Sequence, residues 1–370
     1  MLQATPSGRH LSVVVLMLGL AATAPLCAWE IRSIEGREYV AVREVARFYN
    51  LTEAAAEDAN TRHYRNADTE LTVAKNGRQV SINGIAHWLA FPLVESGDDY
   101  FLSRMDLGKT LEPALRPQFI PNFPRVNTVV LDPGHGGRDH GAIGPYESEK
   151  NFALDVARRV RDLLIKAGVR VLMTRNSDTF IALKDRAGVA NRLKNAIFVS
   201  LHFNAADWNR SATGFEIFCV TPQGSPSTAY EGVRVRDMVA ESGNEHDIHS
   251  FALANAIIHS LHGKLVMADR GVKRSRFAVL RLSKNPSVLV EGGFLTNAED
   301  ARKVASREWR DDYAEAIVRG ILEYKKLAEQ HLPPRQLAQY RGAPTRPAAI
   351  STATPSADVK LREMPAAAEH

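Results

Sequence analysis

The chain has 370 residues, 45% hydrophobic and 24% charged, a balance that excludes a fibrous or wholly disordered protein and suits two domains with tails. Its formal net charge of +5 and pI near 9.2 are mild, and its lysines and arginines are mixed with acids, not gathered in aromatic-interleaved runs. A nucleic acid partner is therefore not expected, whereas an anionic polymer is compatible with the charge.

Residues 1–28 read as a secretory signal, with Arg9 and His10 ahead of the apolar run LSVVVLMLGLAATAP and a cut after Ala28, so the mature chain is expected to be exported to the periplasm or cell envelope. Cys27 follows Leu26 where a lipidation site requires a small residue, so no lipid anchor is expected. Only Cys219 then remains, and a single thiol allows no internal disulfide.

Residues 29–112 show short strand patterns, EYVAV, LTVAKNG and QVSING, around one helical stretch at REVARFYN, which predicts a small α+β module. His63 and His87 fall here and are expected to be packed side chains, not ligands. Residues 113–125 carry Pro113, Pro117, Pro121 and Pro124, a density that predicts a linker without regular structure.

From 126 to 329 the pattern alternates. NTVVL, RVLMT, AIFVSLH, GFEIFCV, FAVLR and SVLVEGG read as strands, with helices from Ser148, over LKDRAGVANRLK, near SFALANAIIHSLH, and a last one ending about Glu329. Strands apolar on both faces and separated by amphipathic helices define an α/β domain, a mostly parallel sheet with helices on both faces, preceded by the small α+β module. Residues 330–370 are rich in Pro, Ala, Thr and Ser and read as a disordered tail.

The chemistry collects at strand ends. VVLDPGH delivers His135, IFVSLH delivers His202, SVLVE delivers Glu291, and either Glu147 or Glu149 opens the helix after the glycine loop. Carboxyl ends of parallel strands share one edge, so these groups converge. Two histidines and one carboxylate form the ligand set of a hydrolytic zinc site, in which the zinc centre stays positive enough to acidify a bound water. A further carboxylate off the metal, Glu291, suits a general base, and Gly292 and Gly293 beside it are expected to leave room for substrate backbone. Asp132 is a candidate to orient His135 or to stabilise the turn. Arg186, Asn191 and Asn204 are candidates to bind substrate or brace loops. His140 is expected to be a loop residue, and His246 and His249 surface groups.

LDPGHGGRDHGAIG, SEKNFALDVA, SLHFNA, DRGVKRSRFAVLR and PSVLVEGGFLTNAED, in that order, resemble the motifs of the zinc-dependent N-acetylmuramoyl-L-alanine amidases across nearly all of residues 126–329. The resemblance implies His135, Glu149 and His202 as zinc ligands, which decides against Glu147, and Glu291 as catalytic base. It implies the substrate as well: the amide between the lactyl group of N-acetylmuramic acid and L-alanine in peptidoglycan. Other readings are a zinc peptidase acting on the stem peptide and a non-catalytic wall-binding protein, which need not keep all four residues. His140 stands where the family commonly has Pro, and Asn151 where it has Asp. The first module, through YVAVREVARFYNL, VSINGIAHWLAFPLV and YFLSRMDL, resembles the N-terminal module of copper amine oxidases, which recurs in bacterial envelope proteins.

One stretch is longer than a connection requires: the insert at about 223–249, after FCVTP. Some members of the resembled family block their zinc with a helix here until a partner removes it. The insert, with Glu241 and Glu245 as carboxylates able to approach a metal, is expected either to cover part of the cleft, where an envelope regulator would act on it, or to be an ordinary surface excursion.

Overall fold

The computed structural model describes residues 29–55 and 58–330, so the expected signal and nearly all of the expected tail lie outside the described residues. In the N-terminal part, β1 (Ile31–Ile34), β2 (Arg37–Ala41), β3 (Thr52–Ala54), β4 (Thr61–Arg65), β5 (Glu70–Ala74), β6 (Gln79–Ile82), β7 (Ile85–Trp88), β8 (Val94–Ser96) and β9 (Asp99–Ser103) accompany the helix Val42–Phe48. Beyond the proline-rich segment come β10 (Thr128–Pro133), β11 (Arg170–Met173), β12 (Ala196–Asn204), β13 (Phe215–Val220), β14 (Asp269–Ser275) and β15 (Ser287–Phe294).

Two sheets result. One has the order β1-β2-β9-β8; the other runs β11-β10-β12-β15-β13-β14-β7-β6-β5-β4-β3. In the second, β11, β10, β12 and β15 are parallel, β13 is antiparallel to β15, and β14 is parallel to β13. The expected mostly parallel α/β sheet is therefore present, but it continues into the N-terminal strands through the pairing of His87 with Val272.

β-branched and apolar runs such as TVVL in β10 and AIFV in β12 are buried on both faces, as a sheet between helices requires. Long helices Glu149–Lys166, Asp247–His262 and Arg307–Glu329 cover one face, where Ile197, Val199, Val288 and Val290 join their apolar stripes. The other face, carrying Phe198, Leu289 and Val220, is covered around those residues by two short helices, Leu183–Asn191 and Ala278–Arg281. This asymmetry leaves part of that face free for a site.

Three local expectations need correction. FAVLR is a helical turn, because a short apolar run suits a buried helix as well as a strand, and Ala278, Val279 and Leu280 are buried there. The strand lies earlier, in the polar DRGVKRS of β14, whose charged side chains find partners on its neighbours. The proline-rich segment is not without regular structure: helical backbone that begins at Arg104 runs through Pro113 to Leu115, and a 3-10 turn, Pro117–Phe119, follows. The last helix is two, Ala298–Ala305 and Arg307–Glu329, divided at Ser306, whose side chain caps the second by accepting from the Trp309 N–H.

The insert lies away from the expected cleft. Because β13 is antiparallel to β15, with Glu216 opposite Glu291 and Phe218 opposite Leu289, the chain leaves β13 at the edge remote from Glu291. There Arg276 donates to the carbonyls of Pro222, Ser225 and Asp237, and Arg78 of the N-terminal part donates to the Tyr230 carbonyl at 2.5 Å. Glu241 faces Arg281 at 3.7 Å. His249, expected at the surface, is half-buried: it donates to the Pro121 carbonyl and packs on Phe123.

Candidate metal centre

β10 ends in a loop whose geometry is unusual at its histidine. His135 has φ of 57°, a left-handed conformation that costs a side chain on the order of 1 kcal/mol or more unless its surroundings hold it. Two buried guanidiniums do so. Arg175 donates to the carbonyls of Pro133 and Gly134, and Arg186 donates to those of Pro133 and, at 2.6 Å, His135. Two loop glycines permit close approach: a Cβ on Gly134 would stand 2.3 Å from the His202 ring, and one on Gly141 2.4 Å from Glu149 Oε2.

Within this loop the side chains converge. Glu149 Oε1 lies 3.0 Å from His135 Nε2 and 2.8 Å from His202 Nδ1. Donor atoms of these three residues all lie within 4.8 Å of one another. The carboxylate is itself fixed, accepting from the Ala142 N–H at 2.8 Å and the Phe203 N–H at 3.1 Å. Burial alone would raise the Glu149 pKa, but hydrogen bonds and charge from His135 and His202 outweigh it and hold the group well below the usual carboxylate range. The His135 imidazole is opposed by burial and raised overall by Glu149 and Asp139. Two imidazoles around an ionised carboxylate, on elements fixed by backbone hydrogen bonds, fit a divalent metal of the zinc type. Glu147 turns away, accepting from the Ser148 N–H at 2.8 Å.

Glu291 follows from sheet register. It pairs with His202 on one side and Glu216 on the other, so all three project from the same face. Its carboxyl is buried, and Oε2 has no hydrogen-bond partner among the described residues. Burial first, then the charges of Glu149 and Glu216, push its pKa well above the usual range against the pull of Lys273. Glu216 carries the opposite balance: burial raises it, but Lys273 at 2.5 Å and Arg270 at 2.6 Å keep it lowered.

The remaining candidates separate. Asp132 does not touch His135; it is fully buried and accepts from Arg186 Nη1 at 2.9 Å, Thr174 Oγ1 at 2.6 Å and Ser200 Oγ at 2.8 Å. The partner of His135 Nδ1 is Asp139, at 2.9 Å, a residue the sequence reading passed over although it lies four positions along the same loop. Arg186 braces the loop backbone. Asn191 bridges the Leu282 carbonyl and the Lys284 N–H, and Asn204 donates to Glu216. Gly292 faces the core, where a Cβ would meet the rings of Phe203 and Tyr313, so its missing side chain makes room for packing and not for substrate.

Fold and site define an α/β protein in which two histidines and a glutamate converge at the carboxyl edge of its parallel strands. A family model, Amidase_3, described as N-acetylmuramoyl-L-alanine amidase, matches residues 129–323, more than half of the chain. The chain belongs to that family. It is 35% identical over 257 residues to N-acetylmuramoyl-L-alanine amidase AmiC of Escherichia coli O6:H1, an alignment spanning 63% of this chain and 61% of that relative. It is 30% identical over 269 residues to amidase AmiA of Escherichia coli K12, spanning 67% of this chain and 91% of AmiA. The solved structure of amidase AmiC2 of Nostoc punctiforme is 35% identical and covers 54% of this chain and 97% of its own, with a TM-score of 0.45.

Proposed function

We propose that the protein is an exported, zinc-dependent N-acetylmuramoyl-L-alanine amidase that cleaves the bond between the lactyl group of N-acetylmuramic acid and the L-alanine of the stem peptide, in wall remodelling or daughter-cell separation. The observation carrying this reading is the convergence of His135, Glu149 and His202 with Glu291 in register beside His202. Family membership supports the bond cleaved, and the N-terminal apolar run supports export. Among the described residues no helix is long and apolar enough to cross a membrane.

His135, Glu149 and His202 would hold the zinc, which supplies a Lewis acid and an acidified water when bound. Asp139 accepts from His135 Nδ1 and so fixes the ring with Nε2 toward Glu149. Glu291 takes the proton of the attacking water and returns it to the departing alanine nitrogen. Its Oε2 is buried and has no hydrogen-bond partner among the described residues, which leaves that oxygen able to take up the proton and hand it on. Arg175 and Arg186 keep the loop from relaxing.

The test is incubation of the mature protein with peptidoglycan, with and without chelator, and identification of products by mass. Free lactyl carboxylate and peptides beginning with L-alanine, lost with chelator, are expected. Cuts only within the stem peptide would replace this reading with a peptidase, and binding without any cut would leave a wall-binding protein.

A further inference from the structure

One row of side chains crosses five neighbouring strands on the face that carries the site. His202 on β12 pairs with Glu291 on β15, and Glu291 with Glu216 on β13. Lys273 of β14 stands opposite Phe218, two residues along β13 from Glu216, and bonds Glu216. His87 of β7 pairs with Val272, which brings Trp88 beside Lys273, 5.7 Å from Nζ to the ring centre. At the far end of the row the surface opens into a groove of about 540 Å³ lined by Trp88, Trp208, Arg270, Lys273, Thr213 and Phe294. It adjoins the site: Phe294 lies three residues beyond Glu291, and both cations bond the carboxylate facing Glu291. One wall belongs to the N-terminal part and the other to the catalytic part.

The chemistry of the groove is that of a carboxylate on a short peptide. Arg270 and Lys273 share one buried carboxylate, so the trio keeps one positive charge, and Arg270, about one third exposed, presents it to the groove. Asp269, also on the wall, turns its carboxylate to His262 and the Gly271 N–H. Trp208 is 66% exposed and offers an apolar wall with a polar edge. In the amidase reading, on which this inference rests, Glu291 protonates the leaving alanine nitrogen, so the peptide departs on the Glu291 side of the cluster, where the groove begins.

We propose that this groove is the stem-peptide subsite, and that Arg270 and Lys273 receive the free α-carboxylate of the γ-linked D-glutamyl residue next to the alanine. The N-terminal part then takes a direct share in substrate recognition through Trp88.

The test is equilibrium titration of the whole protein with the released peptide L-Ala–γ-D-Glu–L-Lys and with its counterpart bearing an α-carboxamide. The acid is expected to bind about tenfold tighter, the scale of a charge-assisted hydrogen bond. Arg270→Gln should erase that preference by weakening the acid alone, and Trp208→Ala should weaken both peptides about three- to tenfold while keeping their ratio. Because Trp208 is mostly exposed, its removal leaves the core intact, so that variant decides even where Arg270→Gln lowers the melting temperature. Equal affinities in the wild type, a preference indifferent to Arg270→Gln, or wild-type binding by Trp208→Ala overturns the proposal. Peptide binding does not depend on turnover. Acid preference without release of lactyl product removes the amidase reading alone, and cleavage without acid preference removes the groove alone.

Discussion

Asp139 Oδ1 accepts from His135 Nδ1 at 2.9 Å, which leaves Nε2 as the nitrogen that meets Glu149. The same Oδ1 also accepts from the Gly141 N–H at 3.1 Å, so one carboxylate ties the ring to the loop that carries it. Asp139→Ala should therefore weaken zinc about 10- to 100-fold, the usual cost of losing a ligand's outer partner, with the melting temperature of the metal-free protein nearly unchanged. Competition with a chelating dye measures it; wild-type affinity would exclude an orienting role.

Removing a ligand should act more severely. His202→Ala is expected to lose stoichiometric zinc and activity together. Gly134→Ala should reproduce much of that loss without touching a donor atom, because the new methyl would stand 2.3 Å from the His202 ring. Metal content by mass spectrometry and far-UV circular dichroism on the same samples separate a displaced ligand from a misfolded loop. Full occupancy in His202→Ala would refute the ligand set.

Glu291→Gln should bind zinc normally and turn over about a hundred- to ten-thousand-fold more slowly, the range of a lost general base. Glutamine keeps the shape, and Oε2 has no partner among the described residues for the change to disturb. Were Glu291 only a packing group, the variant would cleave at near the wild-type rate. Muropeptide turnover beside metal content decides.

Shortening the insert between Gln223 and Glu241 should leave the rate on small muropeptides unchanged, because the chain enters it from the sheet edge remote from Glu291. A rate increase on trimming would restore a gating role.

His87 should contribute to the acid sensitivity of the fold. Burial pushes its imidazole down to about 4 from 6.5, so the folded protein holds it neutral where the unfolded chain is already protonated. Stability is then undiminished above pH 6.5 and falls as the pH drops toward 4, by roughly 3 kcal/mol in total at about 1.4 kcal/mol per unit. His87→Gln should lower stability at pH 7 yet flatten the slope between pH 6.5 and 4. Urea unfolding at several pH values measures both.

The cluster was legible because its members sit where periodic patterns stop: His135, His202 and Glu291 end apolar runs, and strand ends in a parallel sheet meet. Asp139 was not, because its approach to His135 depends on how a glycine loop closes, which hydrophobic pattern does not encode. Reversal of β13 was equally hidden, since GFEIFCV reads the same in either direction, and it moved the insert to the other edge. β14 escaped notice because DRGVKRS hides its strand character under charges that Glu216 and its neighbours neutralise.

The pairing of β7 with β14 bears on how this protein can be divided. A catalytic fragment begun at the proline-rich segment would lose His87 from Asn255, a 2.7 Å hydrogen bond, and Lys109 from Asp247, a 2.6 Å ion pair. It would also bare one side of β14, offering its backbone N–H and C=O groups as a template to any passing strand. Such a fragment would carry every proposed ligand and still be prone to self-association. The described N-terminal strands thus serve the rest as an edge guard, whatever else they bind.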